Sequence, residues 1–194
     1  MGAAKAKTTR RTGSAINCKR MVAYVALLRA VNVGGTGKLA MSELRAMCEE
    51  AGFTQVQTYI ASGNVVFSSQ HSEAAVRDAL GKRLTLYAGK PVGLVVRTAE
   101  EMAAVVTDNP FSDKPGNSAV AIFLNAPPPA DALAHTTGGA GEEAHLGRRE
   151  IYVNYPDGMG KSKFKIPAAK SGTARNFNTI AKLAALASGL TRQK

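Results

Sequence analysis

The residues best suited to chemistry fall in three separated segments. The first is Arg29-Ala30-Val31-Asn32-Val33-Gly34-Gly35-Thr36-Gly37-Lys38. Backbone N–H groups in a glycine-rich loop that leads into a helix can cradle an anion, and Arg29 and Lys38 would add positive charge. Asn32, Gly34 and Gly35 belong to the same candidate anion site. The spacing excludes a nucleotide-hydrolysing phosphate loop. That motif needs an earlier glycine and a Ser or Thr after the Gly-Lys pair, and Leu39 follows Lys38 here. A tight strand-to-helix connection, with Arg29 paired to an acid, explains the same residues without a ligand.

The second segment is Ser62-Gly63-Asn64. If it faces the first loop, Ser62 and Asn64 can bind a ligand's polar groups. A bulge is the competing explanation, because Asn tolerates positive φ and bonds its own backbone. The third joins Lys163, within Lys161-Ser162-Lys163-Phe164-Lys165, to Thr173-Ala174-Arg175-Asn176. Arg175 offers a two-pronged fork for phosphate or carboxylate. Thr173 can cap the last helix and leave its first N–H groups for an anion. Capping and internal salt bridging account for this segment equally.

Other chemistries find little support. His71, His135 and His145 are scattered and lack metal-ligand spacing, so no metal and no cofactor is expected. Cys18 and Cys48 read as free thiols, which suits a reducing compartment. No apolar run is long enough for a membrane helix, so no membrane partner is expected.

Charge points the other way. The net charge is +11, and no acidic residue follows Asp157. Such one-signed segments attract polyanions, although a solvated basic face gives the same count. Residues 1–20 hold Lys5, Lys7, Arg10, Arg11, Lys19 and Arg20 and no acid. They lack the apolar stretch of a secretory signal and are expected to form a disordered basic tail.

These segments must be positioned by regular elements. Val22–Arg29 is an apolar run of strand length. Leu44, Met47, Cys48 and Ala51 mark a helix ending at Gly52. Val56–Ile60 and Val65–Phe67 are strands around Ser62-Gly63-Asn64. Val76, Leu80, Leu84 and Tyr87 share one helix face, and Val92–Arg97 is a strand. The order β-α-β-β-α-β over residues 21–97 is a ferredoxin-like unit. Thr98-Ala99-Glu100-Glu101 is a capping box that opens a linking helix. After it, the spacing predicts strand Ala119–Leu124, a short helix near Asp131–His135, a hairpin across Gly147-Arg148-Arg149, and a last helix over about Ala174–Ser188. Residues 98–194 therefore read as a second, related subdomain without a final strand. The fold class is α+β: two ferredoxin-like subdomains on antiparallel sheets.

Several of these stretches together match a known pattern. YVALLRAVNVGGTGKLAMSELRAMCEEAGF followed by TYIASGNVVF, Asn109-Pro110-Phe111, Tyr155-Pro156-Asp157-Gly158 and SGTARNFNTIAKLAAL occur in that order. Over roughly Val22 to Leu186 the chain resembles the domain of unknown function 1697 family. The resemblance implies a cytoplasmic, largely bacterial protein with two α/β subdomains around antiparallel sheets. It implies no catalytic residue. Ala30 stands where the family usually has Gly.

The expected function is anion binding, with nucleic acid ahead of a small phosphate-bearing molecule. Ferredoxin-like RNA binders need exposed aromatics on central strands, and only Tyr24 and Phe67 are available. An enzyme acting on a small phosphorylated or carboxylated substrate is the second reading. A structural or protein-interaction module without a ligand is the third.

Overall fold

Val22–Leu28 (β1) forms the middle of a four-stranded antiparallel sheet because its side chains are buried on both faces. It pairs with Asn64–Ser69 (β3) on one side and Leu94–Thr98 (β4) on the other. Thr54–Tyr59 (β2) completes the order β2-β3-β1-β4. The structure is a computed structural model and describes residues 20–32 and 39–192. The tail of residues 1–19, with Cys18, and the loop residues Gly34, Gly35 and Lys38 lie outside the described residues.

Strand alternation sorts the β1 side chains into two cores. Tyr24, Ala26 and Leu28 pack with Leu44, Met47 and Cys48 of Met41–Glu50 (α1) and with Val76, Leu80 and Leu84 of Glu73–Ala88 (α2). Ala23, Val25 and Leu27 face the opposite way. There they meet Ala99–Thr107 (α3), whose capping box forms as the sequence predicts.

The second sheet repeats the first. Ala119–Phe123 (β5) lies between Glu150–Asn154 (β7) and Thr173–Asn176 (β8), with Glu143–Leu146 (β6) outside β7. Its order β6-β7-β5-β8 matches β2-β3-β1-β4 position by position. Phe177–Arg192 (α4) follows β8 as α3 follows β4. Both helices sit between the sheets, where Met102, Val105, Ile180 and Leu183 join inner-face residues of both in one core. The layers are therefore α1 and α2, first sheet, α3 and α4, second sheet, and a covering of loops.

Three predictions are corrected. The second subdomain does have its final strand: Thr173–Asn176 pairs with β5, and the last helix starts at Phe177. Thr173 therefore does not cap that helix. Asn176 does, its Oδ1 accepting from the Thr179 N–H at 3.0 Å. The short helix near Asp131–His135 is a run of turns, with Ala132 N–H bonded to Pro129 O at 3.0 Å and Ala134 N–H to Asp131 O at 2.9 Å. Three prolines and a glycine run bracket it, leaving too little chain to propagate a helix.

Candidate functional site

Each sheet ends in an arginine that crosses to the other sheet. Arg97 of β4 is 1% exposed. Its Nε donates to Glu150 Oε1 at 2.9 Å, and its Nη2 donates to Leu124 O at 2.6 Å and Arg149 O at 3.0 Å. Arg175 of β8 answers it. Its Nε donates to Asn64 Oδ1 at 2.5 Å, and its Nη2 donates to Leu28 O at 2.8 Å and Ser62 O at 2.9 Å. The registers correspond: Val25 pairs with Arg97 and Leu27 with Asn64, while Ala121 pairs with Arg175 and Phe123 with Glu150. Leu28 N–H to Gly63 O and Leu124 N–H to Arg149 O, both 2.8 Å, extend the match.

This arrangement brings together several residues singled out from the sequence and uses up their polar groups. Arg175 Nη1 also bonds Thr173 Oγ1 at 2.9 Å and Ala174 O at 2.8 Å. Thr173 donates to Leu28 O at 3.3 Å. Asn64 is fully buried, and its amide donates to Tyr59 O at 3.0 Å and Ser62 Oγ at 2.9 Å. With five protein acceptors around one guanidinium, the Arg175 fork faces carbonyls rather than solvent. Burial pulls the guanidinium down to about 10. Lys163 stands apart, exposed in the loop that packs beside Gly138.

The Arg97 end carries more charge. Arg149 binds Glu73 through both nitrogens at 2.9 and 3.0 Å and Glu101 at 2.6 Å. Burial raises the Glu73 carboxyl, but the Arg149 hydrogen bond and charge, with Arg97 and Arg77, outweigh that and hold it below its ordinary value. Burial also lowers the Arg97 guanidinium, against the pull of Glu150. The cleft between α3 and the β6–β7 turn holds about 540 Å³ and is lined by Arg97, Glu101, Arg149 and Glu150 together with Glu100, Asp108 and Arg148. Arg97, Glu150 and Arg149 were not among the sequence candidates. A signal for Arg97 exists. Arg97-Thr98 is followed by Met102, Ala103 and Val105 at the spacing with which Ile180, Ala181 and Leu183 follow Arg175-Asn176.

The first loop has a different character. Asn32 closes its base: Nδ2 donates to Leu39 O and Ala61 O, and Oδ1 accepts from Leu39 N–H, each at 2.8 Å. Asn32 is therefore a brace. Arg29 is exposed, and no carboxylate among the described residues lies within salt-bridge distance of it. Its backbone N–H bonds Gly93 O at 2.8 Å. A Cβ on Gly93 would stand 2.8 Å from Arg29 Cβ, so glycine permits this approach. Ala30 adopts φ 53° and Asn32 φ 58°, left-handed values that concentrate at this turn. A cavity of about 510 Å³ opens here. Val31, Leu39, Leu84 and Val92 form its apolar floor, with Tyr87 beside them and Arg29 and Lys90 supplying charge. Cys48 lies elsewhere in this half, buried under α1, and burial pushes its thiol up to about 12. It is not a nucleophile at neutral pH.

Among the described residues no cluster of metal-ligating side chains occurs, and no helix is long and apolar enough to cross a membrane. The paired ferredoxin-like sheets define an α+β protein with mixed helices and two antiparallel sheets. The chain belongs to the family described as "Protein of unknown function (DUF1697)", whose model matches residues 21–152. Among solved structures it is similar to the conserved bacterial protein SP0830 from Streptococcus pneumoniae. The TM-score is 0.74 at 23% identity, covering 87% of this chain and 99% of that one. That likeness concerns the fold. No curated protein matches the chain.

Proposed function

We propose that the protein binds a small anionic molecule with an apolar portion in the cavity beside Arg29. The observation that carries this reading is the pairing of an apolar floor with two cations, Arg29 and Lys90, that have no ion-pair partner among the described residues. A volume of about 510 Å³ is that of a small-molecule site. The left-handed φ of 53° at Ala30 supports it further, since such strain tends to persist where function requires it. The ends of the glycine-rich segment, Val31 and Leu39, both line the cavity. A phosphate or carboxylate would sit against Arg29 and Lys90, with the ligand's apolar part over Leu84 and Val92.

Nucleic acid is the second reading, favoured by the exposed Lys161, Lys163, Lys165 and Lys170. Stacking of bases on a sheet does not fit. The first sheet is covered by helices on both faces, and the outer face of the second is buried under Ile166, Phe164 and Leu133. Such binding would rest on phosphate contacts and weaken steeply with salt.

A thermal-shift screen of sugar phosphates, nucleoside monophosphates and a short RNA separates these readings. A small phosphate ester is expected to raise Tm in the native protein and to lose most of that effect in Arg29→Ala. If only the RNA shifts Tm, and equally in Arg29→Ala, the cavity reading fails. Shifts from small esters that survive Arg29→Ala and Lys90→Ala together would also reject it.

A further inference from the structure

The two halves share one frame but close it differently at one place. Tyr59 pairs with Asn64 at the end of β2, and just past β6 Gly147 donates its N–H to Glu150 O at 2.8 Å. Asn64 and Glu150 occupy matching positions, paired with Leu27 and Phe123, so Gly147 stands where the first half has Tyr59. On the helices, Asp108 follows Arg97 at the spacing with which Leu186 follows Arg175. Tyr59 and Leu186 both pack against the central core. Their counterparts Gly147 and Asp108 instead line the cleft of about 540 Å³ between α3 and the β6–β7 turn. A ring and an aliphatic side chain that cover one half are thus replaced in the other by open space and a carboxylate.

The cleft has a buried polar residue in its lining. Tyr152 takes the place of Val66 and is 3% exposed. A Cβ on Gly147 would stand 2.7 Å from Tyr152 Cε2, so glycine permits the ring to lie there. The Tyr152 hydroxyl makes no hydrogen bond among the described residues and keeps accessible surface. It lies within electrostatic reach of Asp108 on α3 and Arg148 on the turn, which form the two walls of the cleft. Burial, then Glu150 and Asp108, push its pKa up, so it stays protonated.

The walls set the charge. Glu100 and Asp108 have no ion pair among the described residues, and neither has the exposed Arg148. Arg97 and Arg149 are already occupied by Glu150, Glu73 and Glu101. The unpaired lining is therefore net acidic in a chain of net charge +11. The C-terminal end of α3 adds partial negative charge, and no basic residue stands in its last turn. These features favour a cation. Ala104, Val105, Leu146 and the Tyr152 ring favour an apolar body beside it.

We propose that this cleft binds a small amine bearing a flat apolar ring, of the arylalkylamine class. The ring fills the space that the first half gives to Tyr59. The ammonium donates to Asp108 and to the Tyr152 hydroxyl oxygen. The site shares no residue with the cavity beside Arg29.

The test is thermal shift and calorimetry on the full chain with tyramine and phenethylamine, against ethylamine and phenylacetate at equal concentration. The ring-bearing amines are expected to raise Tm, and the controls, which lack the ring or carry the wrong charge, to leave it unchanged. Asp108→Asn, an exposed change, should weaken binding by about fivefold. Asp108→Leu installs the first half's residue and should abolish the shift. Arg29→Ala should leave it intact. The proposal is overturned if neither ring-bearing amine raises Tm, or if ethylamine or phenylacetate does so equally. Full binding in Asp108→Leu, or loss of the effect in Arg29→Ala, also overturns it.

Discussion

Arg97 and Arg175 occupy matching places on β4 and β8, yet Arg97 meets a carboxylate and Arg175 meets an amide and carbonyls. The turns before their partners explain the difference. Glu150 follows Arg149, whose backbone N–H donates to Glu150 Oε2 at 3.0 Å, so a residue with acceptors alone is satisfied there. Asn64 follows a turn that offers Tyr59 O and Ser62 Oγ, both acceptors. Only an amide can donate to those and still accept from Arg175. One frame therefore carries a neutralised ion pair in one half and a buried cation held by dipoles in the other.

The largest effect should come from Glu150→Ala, which leaves Arg97 buried without its counter-charge. Breaking such a pair costs about 3–5 kcal/mol, read as a lower urea midpoint. Asn64→Ala removes one acceptor from Arg175 and the amide's bonds to Tyr59 O and Ser62 Oγ, but it strips no counter-charge. We expect a loss of about 1–3 kcal/mol. Equal losses in the two variants would break the distinction between the clamps.

A second difference lies beside the partners, where Arg149 matches Gly63. Arg149 ties the β6–β7 turn to Glu73 of the first half and to Glu101 of the linking helix, and Gly63 has no side chain to do so. Glu73→Gln should cost about 1 kcal/mol or less at pH 7, because the pair is partly exposed. Glu73 is held below its ordinary 4.5, so its contribution is present above that pH and is lost as pH falls through the folded value. The acid limb of the stability profile should therefore flatten in Glu73→Gln. An unchanged limb would show that Arg149 does not hold the carboxylate.

The smallest effect concerns backbone strain. All non-glycine residues with positive φ among the described residues lie in the first half: Ala30, Asn32, Gln55 and Ile60. The second half uses Gly138, Gly141 and Gly158 for such conformations. Ala30→Gly relieves the left-handed penalty at φ 53° and should stabilise by about 0.5–1 kcal/mol, since the strain relieved exceeds the added chain entropy. If the turn serves ligand binding, the same change should weaken the response to small phosphate esters in thermal shift.

The first half was largely legible because its signals are local. An apolar run and a helical stripe ending at Gly52 each act within a few residues. The missed strand β8 shows the limit. Thr-Ala-Arg-Asn is short and polar and resembles a helix entry, and it becomes a strand only by pairing with β5. The candidate site shows the same limit. Arg175 and Asn64 were picked out by residue type, but they bond to each other across 111 positions. That contact changes Arg175 from an offered fork into an occupied clamp. Arg29, by contrast, remains exposed beside its cavity.

The sequence by itself determined the fold class, the order of elements in the first half and the residue types able to hold an anion, because periodicity, caps and turn chemistry are short-range. Only the tertiary structure decided which cations are spent on the protein itself and that the second sheet closes with its own final strand. Those outcomes depend on which distant strand supplies the opposing donor or acceptor, and no local pattern carries that information.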